Sequence, residues 1–434
     1  MDQNPGNRLD PIADVPPGGI AEAYDAGGLD RLSDAELVAA VAAAVAEPRH
    51  EPADSFALHA PLELTARARL LDLTPPGLRR LARLRILSIA ARDRTRRPID
   101  DDRGPVDERP VDDPVDALVE AIARGDLAAV DRAARSITPP TDRVVDRLGP
   151  AIADRTSAAA HGPIFLATLT EVPGRAPGWL PLLRPLAREL ARHPAWRLNW
   201  IDRSVGGGPP RAEPDADRLF RVLADPPRLG VPGSTSIHPT MEQVDAPGVA
   251  DELVGPVAGP TAVATPAAGR ALTRVAALAM VRDTPDHAPY GWTHCLTLPS
   301  AVLTLAPVLE RAGVPALAIA ATHVLGFRAS LAEVAIDPHD PLVAPVDPST
   351  GPARRRHLVA EAARRNDAHI AKYVLAVLTA ADLDEEGGHL YLAAGEHLLA
   401  VWDDRHRAVG ADPDDPLVDE AARTAAAGPP GRPL

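Results

Sequence analysis

Windows rich in Ala, Leu and Arg, with apolar residues at three- and four-residue spacing, fill most of this 434-residue chain, and its 48 prolines fall mostly between them. Alternating β-branched stretches bounded by hairpin turns are almost absent. Proline withholds a backbone donor and ends helices, so the pattern confines the chain to an all-α fold, a large single helical bundle with Pro-rich connecting loops. Helices are expected near 33–47, 60–93, 115–136, 141–160, 163–172, 178–193, 214–224, 267–282, 290–311, 314–335, 353–365, 367–381 and 387–408, with Gly125 as a break in the third. Residues 1–30 are expected to be a disordered N-terminal segment. Residues 31–420 form one helical domain containing an acidic Pro-rich loop at 96–114, "RRPIDDDRGPVDERPVDDP", and 421–434 a flexible tail.

A net charge of -14 excludes nucleic acid and anionic membrane surfaces as partners, because both recruit clustered positive charge. The single cysteine, Cys295, excludes a disulfide framework and multi-cysteine metal sites, and reads as a small buried hydrophobe. The opening residues lack the basic and apolar regions of a signal peptide, so a cytoplasmic location is expected. No dinucleotide-binding fingerprint is visible, so NADPH, if used, would not dock on a Rossmann unit.

One residue stands out chemically. The 46 basic residues comprise 45 arginines and a single lysine, Lys372, within "NDAHIAKYVLAV". Arginine keeps its proton, whereas a buried lysine amine can lose one and become a nucleophile, base or carbamate former. Asn366 and Asp367 can cap the helix that follows, which puts His369 in its first turn with Lys372 three residues on, on the same face. The bland reading of Lys372 is a snorkelling side chain or an ion pair with Asp367.

Other histidines share such apolar settings. His59 precedes Pro61, read as a first helical position, with Glu63 a turn further on. His161 sits at a helix break beside Gly162. The stretches 290–310 and 314–334 are apolar nearly all round and carry His294 and His323, with Pro299 placed to bend the first. A lone core histidine is ordinarily just hydrogen-bonded. Five of them with one lysine, far apart in sequence, instead match the way helical bundles assemble metal ligands. His50, His193, His238, His287, His339 and His357 read as solvated, and His389 and His397, on one face of the last helix near Tyr391, as packing groups or outer donors to the ligands.

The segments "FALHAPLEL", "AAAHGPIF", "GWTHCLTLPSAVL" and "DAHIAKYVLA" resemble, in that order, the histidine-bearing segments of the questin oxidase-like proteins, helical oxygenases of aromatic polyketide pathways; the likeness spans roughly residues 50–410. The doubled histidines of fungal members are missing around the first two segments. The resemblance implies a non-haem metal, iron with manganese or zinc as alternatives, held by His59, His161, His294, His369 and Lys372 carboxylated by carbon dioxide. It leaves His323 as an outer donor, a substrate contact, or a ligand in place of one of those named. Implied substrates are dioxygen and a small aromatic ketone or quinone, which would undergo Baeyer-Villiger-type oxygen insertion or ring cleavage. Tyr290, Trp292, Phe327, Phe165 and Tyr373 are candidates to line the pocket, with core packing the equal alternative. The competing classes are a zinc-binding hydrolase, a non-catalytic metal protein and a purely structural bundle.

Overall fold

Proline and glycine set the joints. Thr74-Pro75-Pro76-Gly77 divides the expected 60–93 helix into Phe56–Leu73 and Arg79–Arg94, and Gly125, at φ 71°, turns Pro114–Arg124 back onto Leu127–Ser136. The structure, a computed structural model, describes residues 5–12, 15–47, 56–94, 111–138, 140–172, 174–204, 213–229, 236–259, 261–343, 351–409, 415, 417 and 420. Among these residues it is all helix and connection, with a lone bridge between Arg155 and Arg197 in place of any sheet. The all-α expectation holds. Most of the acidic loop 96–114 and the tail 421–434 lie outside the described residues.

Two expectations need correction. The N-terminal segment is not disordered over its described part. Pro5–Ile12 and Ile20–Ala26 are helical, and Leu9, Ile12, Ile20, Tyr24 and Leu29 are buried against the Asp34–Val45 and Arg79–Arg94 helices. Arg83 fixes them, donating to the Tyr24 hydroxyl at 2.8 Å and to the Leu29 and Leu32 carbonyls at 2.9 and 2.7 Å. Second, Ile237–Asp245 and Val249–Ala258 are helices that periodicity alone did not reveal; each is short, and a proline interrupts its pattern.

The centre of the molecule is a ring of four helices. Phe56–Leu73 packs on Ala368–Leu383 and on His161–Glu171, and Thr293–Thr304 packs on the latter two. Ala316–Leu331, buried over almost its whole length, backs Thr293–Thr304 as the sequence leads one to expect. No helix among the described residues is long and apolar enough to cross a membrane.

Candidate metal centre

Each ring helix carries one histidine at its N-terminal end: His59, His161, His294 and His369. Three different devices set those ends. Asp367 caps the last helix, accepting from the backbone N–H groups of His369 and Ile370 at 2.7 and 3.1 Å. A turn of π-helix at Ala288–Trp292 precedes His294, a local widening that often marks functional sites. Before His161, Ala158, Ala159 and Ala160 stand in the left-handed region at φ 51°, 48° and 50°, each at a cost of about 1–2 kcal/mol. Strain of this kind persists only where the surroundings impose it. Ala159→Gly is therefore expected to raise stability by about 1 kcal/mol, measured by denaturant unfolding.

The four imidazoles meet. Ring centroids lie 4.7 Å apart for His59 and His161, 4.5 Å for His59 and His369, 5.2 Å for His294 and His369, and 5.7 Å for His161 and His294. One nitrogen from each of His59, His161 and His294 falls within 4.8 Å of the others. All four histidines and Lys372 are at most 6% exposed. His161 Nδ1 and Nε2, His294 Nε2, His369 Nε2 and Lys372 Nζ have no hydrogen-bond partner. A buried polar atom without a partner costs about 1–3 kcal/mol, so a fold that gathers several in one place calls for something to satisfy them together. A cation accepting their lone pairs would do so, and the donor set suits it: imidazoles that can be neutral, and an amine.

The electrostatics fit neutral donors. Burial first, then the Lys372 ammonium, holds His161 and His294 well below the usual imidazole range near 6.5. His369 is lowered for the same reasons and partly restored by Asp367, whose Oδ1 lies 3.5 Å from its Nδ1. Burial brings Lys372 down to about 7, with Asp367 and Glu63 opposing the shift. Helix N-termini converge here, and their partial positive charge disfavours protonation of the imidazoles and the amine and favours an anion such as a carbamate. His294 Nδ1–H donates to the Tyr290 carbonyl, leaving Nε2 aimed at its neighbours.

Glu63 lies where the sequence places it, fully buried one turn below His59, between Arg67 at 2.7 Å and Arg92 at 3.1 Å. Arg67 also donates to the carbonyls of Ala362, Arg365 and Asp367 at 3.1, 3.0 and 3.4 Å, tying the His59 helix to the turn that presents His369. His323 is not brought into the group. It is buried on the neighbouring helix, both ring nitrogens lack hydrogen-bond partners, and burial pushes it down to about 4.

A cavity of about 720 Å³ opens directly beneath the cluster, beside Lys372. Its walls repeat one register. On every ring helix the residues 3, 6, 7 and 10 positions after the histidine line it: Leu62, Thr65, Ala66 and Arg69; Ile164, Ala167, Thr168 and Glu171; Thr297, Ser300, Ala301 and Thr304; Lys372, Leu375, Ala376 and Thr379. Those offsets are one helical face, and all four helices thus run away from the cluster in the same direction. The ion pair between Arg69 and Glu171, each ten residues beyond its histidine, fits that register. Seven of the eight residues at offsets 6 and 7 are Ala, Ser or Thr, Leu375 being the exception, and they create the space.

Of the two readings open for the aromatic residues, core packing describes four of the five. Trp292, Phe327, Phe165 and Tyr373 are fully buried core residues, and Tyr290, 44% exposed, sets its ring edge-on to His369 at 5.0 Å. None of them lines the cavity. Large rings fill space, so in a chain with only 3% aromatic residues they serve the core. His193 and His238, read as solvated, stack on the two faces of Trp196 at 3.9 and 4.1 Å. Comparison with models of known families, with curated proteins and with solved structures finds no match to this chain.

Proposed function

We propose that this chain is a metal-dependent oxygenase of the questin oxidase-like kind, acting on an aromatic ketone or quinone. The observation that supports it is the meeting of four histidines from four parallel helices with the chain's one lysine, at the closed end of a cavity of ligand size. His59, His161, His294 and His369 would hold the metal, and imidazole and oxygen donors suit iron, with manganese or zinc as alternatives. Lys372 would join them as a carbamate. An amine brought down to about 7 is neutral often enough to add carbon dioxide, and the converging helix N-termini stabilise the anion that results. The bound metal would supply a centre that activates dioxygen or polarises a carbonyl.

The chain's own residues supply the rest. Asp367 orients the His369 ring, and the Tyr290 carbonyl fixes the His294 tautomer. Thr297 and Leu62 form the floor nearest the ligands, and the apolar walls keep bulk water from the reacting end.

Metal analysis of the purified protein tests this reading. About one iron per chain, removal of which by chelator lowers the thermal midpoint, is the expected result, since a ligand at ~1,000 times its Kd stabilises by about 4 kcal/mol. Zinc with hydrolytic activity would favour a hydrolase. Equal midpoints with and without chelator would leave a structural bundle.

A further inference from the structure

The open end of the cavity is a full helical face away from the cluster. From Lys372 to Leu383, eleven steps along one helix, seven residues line it, a span of roughly 17 Å. Spread over that length, the volume gives a cross-section of roughly 40 Å², room for a flat ring system inserted lengthwise.

Charge at the far end is almost entirely compensated. Glu171 pairs with Arg69, Asp384 with Arg274 at 2.7 Å, and Asp382 with Arg355 at 2.8 Å. Arg270 is the exception. It lines the cavity from the helix Pro266–Arg282, is partly buried, and no carboxylate among the described residues pairs with its guanidinium. In a chain with 60 acidic and 46 basic residues, an arginine on a cavity wall without a carboxylate is a placed charge. Its level is also fixed. Neighbouring Gly269 abuts Leu303, nine residues beyond His294, and Arg274 reaches Asp384, twelve beyond Lys372. Arg270 therefore sits about 15 Å from the histidines.

The hydroxyls between the two ends point to the same kind of guest. Thr65, Thr168, Thr297 and Thr304 each donate to a carbonyl of their own helix at 2.9–3.1 Å. Their protons are spent, so they offer the cavity methyl groups and oxygen lone pairs; the Ser300 hydroxyl on the same wall has no partner and stays a neutral donor, and the guanidinium is the charged donor at the far end.

We propose that Arg270 anchors an anionic group of the substrate, a carboxylate or an equally acidic enolate or phenolate. The substrate of this cavity is then an elongated organic acid whose opposite, uncharged end lies at Lys372. The assignment rests on the cavity being the substrate site of the proposed oxygenase, but anchoring at the far end does not need the metal.

The test is binding, by calorimetry, of anthraquinone-2-carboxylic acid and of its methyl ester to the full chain, metal-loaded and metal-stripped. The wild type is expected to prefer the acid by about tenfold or more in both forms. Arg270→Gln erases that preference while binding the ester within twofold of wild type, a built-in check of folding. Arg270→Lys, which keeps the charge, retains part of it. A wild type that binds neither compound, or both equally, overturns the proposal, as does an Arg270→Gln variant that still prefers the acid. Acid preference in a protein that never takes up metal would sink the oxygenase reading and leave the anion anchor standing.

Discussion

Lys372→Arg is expected to yield a folded helical protein that has lost its metal and, with it, at least about a hundredfold of any activity. The guanidinium stays protonated, so it can neither coordinate nor add carbon dioxide, and it would sit as a cation among four imidazoles at converging helix N-termini. Lys372→Met separates the roles of the side chain. It keeps the length without the charge, and the metal-free variant is expected to match or exceed the metal-free wild type in stability, because no unpartnered amine is then buried. Both should lack metal by elemental analysis, and intact mass of the wild type under carbon dioxide should show the added carboxyl group that both variants lack. Full occupancy in Lys372→Arg would remove lysine from the centre.

Acid should unfold the metal-free protein steeply. His161, His294 and His369 have folded-state values below the usual 6.5, so as pH falls through 6.5 the unfolded chain takes up protons that the folded chain refuses. Stability then drops by about 1.4 kcal/mol per pH unit for each such group, roughly 4 kcal/mol per unit for the three, until the folded values are reached. Lys372, brought down to about 7 from 10.5, acts in a higher window with the same sign: stability rises with pH between about 7 and 10.5. Glu63 and Asp367, both lowered, lose their contribution only below their ordinary values of 4.5 and 3.8. His238, His323, His389 and His397 are lowered too, so the cluster's share is isolated by comparison with His161→Leu. That variant should lose about a third of the slope attributed to the three. Denaturant unfolding between pH 5 and 8 measures it, and identical slopes in the two proteins would contradict the burial of neutral imidazoles.

The helices and the four histidines are legible in the sequence because each signal is local. Helical period, proline joints and a histidine beside Pro61, Gly162 or Asp367 can each be read within a dozen residues. Lys372 is legible by contrast, as the one amine among guanidinium groups. The cavity is not legible in the same way, because it is space left by small residues at seven of the eight positions at offsets 6 and 7 on four helices, and each pair taken alone, such as Thr65-Ala66 or Ser300-Ala301, looks like ordinary helix surface. Aligning the four segments on their histidines would have exposed it. His323 has every local mark of the others, yet its helix lies outside the ring, and that placement is a tertiary fact. The N-terminal segment misleads for a related reason. Its Pro and Gly content reads as disorder, while its few apolar side chains find a groove that only the folded chain provides.

The most direct test of the central claim is diffraction from the metal-loaded protein, with anomalous data collected at the iron edge. The expected result is one strong peak about 2.1 Å from a nitrogen of each of His59, His161, His294 and His369, with density for a carboxyl group extending from Lys372 Nζ toward it. A peak elsewhere, or a refined structure in which these side chains hydrogen-bond to water and no metal lies between them, would contradict it.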